Sequence, residues 1–204
     1  MSLRSWIRGR IAKMRAWIQG IRARRAQERQ VAVHEAGHAL AAWLLPSFNG
    51  VTEVTILPVG DFRGYTLTSH ALSDPPTRRE IVELMTMAMA GSAAERLLIG
   101  TSDGGSLDDM IHAVAYWLMY RHDLSPESAL GVAASLMMDL LAGDPRRRLN
   151  AGLHAIPPLA YSAEQAVLLL RPRLADVRKL AAALRRRKTL HHADLERLLG
   201  PRPT

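Results

Sequence analysis

The sequence feature that most restricts the fold is a His-Glu-x-x-His pattern, HEAGH at residues 34–38, inside the apolar run 31–45. On an α-helix, residues four positions apart share a face, with Cβ atoms about 5–6 Å apart, so His34 and His38 can reach one metal ion. Zinc accepts imidazole nitrogens at about 2.0–2.1 Å, and a catalytic zinc keeps one position open for water. Because the metal lowers the pKa of that water towards about 7, Glu35 can act as its general base. The pattern therefore predicts metal-assisted hydrolysis.

The residues around this pattern favour a helix. Alanine and leucine, both strong helix formers, dominate positions 39–45, and Pro46 marks the helix end. Gly37 costs about 1 kcal/mol in a helix interior, so we expect another backbone or a bound peptide to pack closely there. The alternative is a core helix whose histidines are merely hydrogen-bonded. That alternative would explain one histidine better than it explains the whole pattern.

Charge separates an N-terminal segment from the rest of the chain. The net charge is +8, and residues 1–30 contain nine basic residues and one acidic residue, so the remaining 18 basic and 18 acidic residues balance. Residues 3–25 also place apolar side chains at helical spacing: Leu3, Trp6, Ile7, Ile11, Met14, Trp17, Ile18 and Ile21. A basic amphipathic helix containing tryptophan is typical of a segment that lies in a membrane interface. The alternatives are that this helix packs on the protein's own body or on another partner.

These patterns predict a basic amphipathic helix at 1–27 and a separate domain at 28–204 that contains the HEAGH segment. No apolar run in the N-terminal segment approaches the about 20 residues that span a bilayer. An arginine-rich targeting peptide is an alternative. The neutral body gives no reason to expect nucleic acid as a partner. The absence of cysteine excludes disulfides and a cysteine nucleophile and fits a reducing compartment. We expect a cytoplasmic protein, with an anionic membrane surface as a candidate partner for residues 3–25.

Two strands are predicted after Pro46, at 51–57 and 62–69. Gly64 inside the second strand indicates a bulge or a close backbone approach. The pair is either a hairpin that covers the core or an edge that binds an extended peptide as an added strand. Downstream, Thr77-x-x-Glu80 predicts a capping box that opens a helix to about residue 98. Thr189 is predicted to cap the final short helix.

A catalytic zinc requires a third protein ligand, and spacing alone does not identify it. Four side chains are candidates: Glu95, Asp108, Asp109 and His112. Asp109 also has a structural explanation, because Ser106-x-x-Asp109 resembles a capping box and acidic residues stabilise the first turn of a helix.

Several segments together resemble the peptidase domain of the FtsH-type, ATP-dependent zinc proteases, peptidase family M41. These segments are VAVHEAGHAL (31–40), GYTL (64–67), AGSAAERLLIG (90–100), GSLDDM (105–110) and TLHHADLERLL (189–199). The resemblance implies a mainly α fold with a small β-sheet (α+β), built around a zincin-like HExxH helix. It also implies that His34, His38 and Asp109 bind Zn²⁺ and that Glu35 is the general base.

The resemblance further implies a zinc metalloendopeptidase that cleaves unfolded or flexible polypeptides. Family members carry transmembrane segments and an ATPase module before the peptidase, and we expect this chain to act without them, with a separate ATPase or a homo-oligomer as candidate partners. We expect Gly64, Tyr65 and Thr66 to contact substrate, and Glu95 and Asp108 to support the ligands from outside. The alternative function is a non-catalytic, metal-stabilised binding module or membrane-surface adaptor.

Overall fold

The computed structural model describes residues 3–60, 62–100, 106–141 and 156–203. In chain order the elements are α1 (Leu3–Leu44), β1 (Phe48–Thr55), β2 (Tyr65–His70), α2 (Arg78–Leu98), α3 (Ser106–His122), α4 (Pro126–Leu141), α5 (Pro157–Leu170), a 3₁₀ turn (Arg171–Arg173), α6 (Leu174–Arg187), β3 (Thr189–His191) and α7 (His192–Leu199). The predicted fold class, mainly α with a small sheet, is confirmed.

Helix α1 joins the basic N-terminal segment to the HEAGH segment without a break over 42 residues. The sequence pattern predicts two separate helices, but residues 26–30 (AQERQ) contain only helix-compatible residues and no glycine or proline, so the helix continues through them. The two parts differ in burial, because no side chain of residues 14–27 is buried, whereas burial is continuous from Ala32 to Trp43. The domain boundary after residue 27 stays a prediction.

The buried half of α1 packs closely against α2. A Cβ atom added to Gly37 would lie 2.4 Å from the carbonyl oxygen of Ala90 and 2.7 Å from Cβ of Ala94. Any side chain at position 37 would therefore push the two helices apart. The expected close approach of another backbone to Gly37 is confirmed, and it brings α2 alongside both histidines.

Three antiparallel strands form the sheet, in the order β2-β1-β3. The short strand β3 was not predicted, and the expectation that Thr189 caps the last helix was wrong. Thr189 instead pairs with Thr55 of β1, and His191 is the residue that precedes α7. A three-residue strand carries too little alternation to be recognised in sequence. Strand β2 lies at the opposite edge of the sheet. This is the position that β2 must have if an extended peptide is to bind as an added strand.

The C-terminal segment closes over the end of α1. The guanidinium of Arg202 donates hydrogen bonds to the carbonyl oxygens of Trp43 (3.2 Å) and Leu45 (2.7 Å). The last carbonyl groups of a helix have no partner within the helix, so Arg202 satisfies the carbonyl of Trp43 and adds a second donor to that of Leu45, which also accepts from the backbone N–H of Phe48. This contact fixes the C-terminal end of the helix that carries both histidines.

Candidate metal centre and catalytic residues

The two histidines of the HEAGH segment face each other on the buried side of α1. Their ring centroids are 4.7 Å apart, and the Nε2 atoms of His34 and His38 are separated by 3.0 Å. Both side chains are buried. This is the geometry that the i, i+4 spacing predicts for two ligands of one ion.

Asp109 of α3 completes a group of three ligand atoms. Its Oδ2 atom lies 3.1 Å from Nε2 of His34, and its Oδ1 atom lies 3.4 Å from Nε2 of His38. The candidate ligand atoms of the three residues all lie within 4.8 Å of one another. Within the described part of the chain, Oδ2 of Asp109 is buried without a hydrogen-bond partner.

Helix α2 holds the outer nitrogen of each imidazole. Nδ1 of His34 lies 2.7 Å from Oε1 of Glu95, and Nδ1 of His38 lies 2.8 Å from the backbone carbonyl oxygen of Met87. Both partners accept hydrogen bonds, so Nδ1 is the donor in each ring. In a neutral imidazole the proton then sits on Nδ1, and the lone pair of Nε2 points into the site.

This arrangement fits a divalent cation such as zinc. When both rings are neutral, two Nε2 lone pairs and a carboxylate converge, and such a group of acceptors repels itself unless a metal ion or a proton lies among them. Bonds of about 2.0–2.2 Å around a tetrahedral zinc ion place neighbouring ligand atoms about 3.3–3.6 Å apart. The distances from Asp109 to the two imidazoles, 3.1 and 3.4 Å, are close to this spacing.

The electrostatics of the site also favour a cation. Burial opposes a charged imidazole, but the adjacent carboxylates of Asp109 and Glu95 outweigh it and raise the pKa of His34 to about 10. Burial likewise opposes charge on His38, and the nearby carboxylate of Asp109 raises its pKa. Burial acts to raise the pKa of Asp109, but the two imidazoles lower it well below its usual range. A metal ion that binds here would therefore displace a proton.

Glu35 lies beside this group, and the strand β2 holds it. The hydroxyl of Thr66 donates a hydrogen bond of 2.9 Å to Oε2 of Glu35. Gly64 allows the close approach, because an added Cβ would lie 2.7 Å from the carbonyl oxygen of Thr55 and 3.1 Å from Cγ of Glu35. Burial raises the pKa of Glu35, which is the direction expected for a base that works near neutral pH.

The structure separates the four candidates for the third ligand. Asp109 lies at Nε2 of both imidazoles, whereas Glu95 contacts His34 at Nδ1, on the other side of the ring. Asp108 is exposed, and its backbone carbonyl accepts a hydrogen bond from Nδ1 of the exposed His112. Neither Asp108 nor His112 belongs to the group of converging ligand atoms.

Of the three residues predicted to contact substrate, Gly64 and Thr66 face Glu35. The Tyr65 hydroxyl instead donates a hydrogen bond to Glu53 of the neighbouring strand.

Two residues that shape the site were not predicted from the sequence, Gly91 and Gln30. A Cβ added to Gly91 would lie 2.4 Å from Nε2 of His38 and 2.6 Å from Nε2 of His34, so only glycine leaves room for both rings. Gln30 donates a hydrogen bond of 3.1 Å from Nε2 to Oε2 of Glu95. Its position four residues before His34 was the signal that could have revealed it.

Comparison with known proteins agrees with this geometry. A family model described as peptidase family M41 matches residues 22–128, which include both histidines, Glu35 and Asp109. The chain belongs to peptidase family M41. The M41 match also covers α2, which holds the outer nitrogens of both imidazoles.

Individual relatives match over most of the chain. The ATP-dependent zinc metalloprotease FtsH 1 of Symbiobacterium thermophilum is 34% identical over 195 residues, covering 90% of this chain and 31% of the relative. FtsH 2 of the same organism is 42% identical over 115 residues, covering 55% of this chain and 20% of that relative. The mouse mitochondrial inner membrane m-AAA protease component AFG3L2 is 26% identical over 200 residues, covering 87% of this chain and 23% of that relative. The chain thus spans about a third or less of the length of these M41 relatives.

Proposed function

We propose that this chain is a zinc-dependent metalloendopeptidase. The observation that carries the proposal is the convergence of Nε2 of His34, Nε2 of His38 and the carboxylate of Asp109 beside the buried Glu35. In this proposal the first three residues hold zinc, and Glu35 is the general base. The names of the relatives, which describe zinc metalloproteases, support the choice of metal.

When bound, zinc would polarise the scissile carbonyl group and activate a water molecule. Glu35 takes a proton from the attacking water and delivers it to the leaving amine. Thr66 keeps the Glu35 carboxylate in place through its hydrogen bond. Glu95 and the carbonyl of Met87 hold the imidazoles in the tautomer that directs Nε2 inward.

The proposed substrates are unfolded or flexible polypeptides. Among the described strands β2 lies at the edge of the sheet, and its Thr66 contacts Glu35, so a peptide that pairs with its outer side would pass beside the base. Only an extended segment can pair in this way. The relatives are named ATP-dependent. A separate ATPase or a homo-oligomer would supply substrates that are still folded.

A second candidate function is a non-catalytic binding module or membrane-surface adaptor that metal stabilises. Such a module needs the ligands His34, His38 and Asp109, but it does not need a buried glutamate held by a hydrogen bond beside them. The contact between Glu35 and Thr66 therefore favours catalysis over this alternative.

We also propose that the exposed part of α1 binds an anionic membrane surface, so that a cytoplasmic chain lies at the membrane periphery. Trp17 and Met14 are 67% and 55% exposed, and the arginines around them are exposed too. Exposed tryptophan beside basic residues suits the headgroup region of anionic lipids. Among the described residues, no helix combines the length and apolar character needed to cross a bilayer.

Zinc content and peptide cleavage, measured together on the wild type and on Glu35→Gln, test the catalytic proposal. Glu35→Gln keeps the size of the side chain but removes the base, so we expect full zinc content and a loss of cleavage of about 10²–10⁴-fold. Glu127→Gln, an exposed glutamate of α4, is the matched control and should cleave normally. Equal cleavage by the wild type and Glu35→Gln would contradict the proposal.

The same zinc measurement tests the third ligand. Asp109→Ala should weaken zinc binding far more than Asp108→Ala, because only Asp109 reaches the imidazoles. A wild-type protein without zinc after purification with zinc in the medium would contradict the metal centre itself.

A further inference from the structure

A glutamine one turn before the first histidine contacts the same carboxylate that holds the imidazole. Nε2 of Gln30 donates to Oε2 of Glu95 at 3.1 Å, while Oε1 of Glu95 accepts from Nδ1 of His34 at 2.7 Å. Gln30 and His34 are four residues apart on α1 and share the face that meets α2. Two residues of one helix therefore hold the two oxygens of Glu95.

The two imidazoles are supported in different ways. His38 is held by the carbonyl oxygen of Met87, which is part of the rigid backbone of α2. His34 is held by Glu95, whose carboxylate sits at the end of a flexible side chain, and the terminal torsion of glutamate has only broad preferences. A second donor on the carboxylate restricts that torsion. The imidazole of His34, which a side chain rather than the backbone holds, is therefore the one that receives additional support, from Gln30.

We propose that Gln30 is a positioning residue for the metal centre: it fixes the carboxylate plane of Glu95 and, through it, the orientation and tautomer of His34. A partner of this kind sets the ring direction and the basicity of a ligating histidine. Glu95 is 3% exposed, so solvent gives little help in orienting its oxygens. This inference rests on the proposed zinc site.

The test compares zinc affinity, measured by competition with a chelator, and the visible spectrum of the Co²⁺-loaded protein. Gln30→Met keeps the length of the side chain but removes the donor. We expect zinc affinity to fall about 3- to 10-fold, less than the about 10–100-fold typical of losing a group that contacts the ligand directly, and we expect the Co²⁺ absorption bands to shift. Gln27→Met, at an exposed position one turn earlier, is the matched control and should change neither quantity.

Combining the substitution with Glu95→Ala shows whether Gln30 acts through Glu95. If it does, Gln30→Met should have no further effect in the Glu95→Ala background, because residues of one network couple. An equal loss of affinity in both backgrounds would overturn the proposal. Wild-type affinity and an unchanged Co²⁺ spectrum in Gln30→Met would overturn it as well.

Two further results separate this inference from the proposed function. If the wild type binds no zinc, both are wrong; if it binds zinc and the Gln30 variants behave like Gln27→Met, only the role of Gln30 is wrong. If Gln30→Met does not fold, Gln30→Asn is compared with the wild type in its place, by the same measurements of zinc affinity and of the Co²⁺ spectrum. Asparagine keeps the amide on a shorter side chain that no longer spans the distance to Glu95.

Discussion

The Thr66 hydroxyl lies 2.9 Å from Oε2 of Glu35 and donates a hydrogen bond to it, which attaches the edge strand of the sheet to the proposed general base. Burial raises the pKa of Glu35, and this hydrogen bond acts in the opposite direction by stabilising the carboxylate. The contact thus couples the strand beside which substrate would bind to the residue that would move the proton.

Thr66→Val should lower peptide cleavage about tenfold and leave zinc content unchanged. A hydrogen bond to a charged group contributes about 1.5–3 kcal/mol, and Thr66 contacts no proposed metal ligand in the described structure. Steady-state cleavage and zinc analysis check this expectation. Thr68→Val, two residues further along the same face of β2, is the control. Identical effects of the two substitutions would show that the strand, and not the hydrogen bond, matters.

Gly91→Ala should remove zinc binding although alanine favours a helix. The added Cβ would lie 2.4 Å from Nε2 of His38 and 2.6 Å from Nε2 of His34, so both rings must move. Gly131→Ala in α4 is the matched control, since nothing lies within 4 Å of its added Cβ. It should keep zinc and gain up to about 1 kcal/mol of stability from helix propensity. Full zinc content in Gly91→Ala, measured by atomic absorption, is the outcome that would contradict this site geometry.

The sequence predicted the part of the site that lies within one helix. His34, Glu35 and His38 follow from helical periodicity, which fixes which side chains share a face. The role of Asp109 did not follow from spacing. Choosing Asp109 over Asp108 requires knowing which face of α3 is turned towards α1. Only the resemblance to the family indicated it.

Residues that act across helices were harder to predict. Gly91 is needed because two rings from α1 occupy the space above α2. Its role depends on the packing of two segments far apart in sequence. The same holds for β3, which is a strand only because Glu53–Thr55 of β1 supplies its partner. Local propensity carries no information on either contact.

A buried carboxylate at the start of α7 gives a pH-dependent prediction. The backbone N–H of His191 and the guanidinium groups of Arg187 and Arg197 donate hydrogen bonds to Asp194 and lower its pKa to about 2. The pKa is lower in the folded than in the unfolded chain, so the stabilisation is present above the unfolded value of 3.8 and is lost as pH falls through about 2.

Asp194→Asn should therefore lower the unfolding temperature by a constant amount at near-neutral pH, and the difference from wild type should shrink below about pH 4. Thermal unfolding at a series of pH values measures this difference. Asp139→Asn, at an exposed position in α4, is the control and should follow the wild type throughout. A difference that grows as the pH falls would have the wrong sign for this explanation.

The last prediction concerns the exposed part of α1. Met14 and Trp17 are exposed, and Arg15, Arg22 and Arg24 lie around them on the helix. Each basic residue near an anionic leaflet contributes about 1 kcal/mol, and this attraction weakens with salt. The chain should therefore bind vesicles that contain an anionic lipid, bind them less at physiological than at low ionic strength, and bind neutral vesicles poorly. Trp17→Ala should weaken binding by removing apolar insertion.

Deletion of residues 1–27 should abolish vesicle binding and leave the zinc site intact. The deletion ends before Glu28, whose carboxylate forms an ion pair of 2.8 Å with Lys188, and before Ala32, the first buried side chain of α1 from residue 14 onward. Vesicle sedimentation and zinc analysis of the truncated protein provide the two measurements. Equal binding to neutral vesicles, or unchanged binding after truncation, would refute the membrane contact. Unfolding of the truncated chain would instead show that the apolar face of residues 14–21 belongs to the domain, because the domain then depends on this segment for its stability.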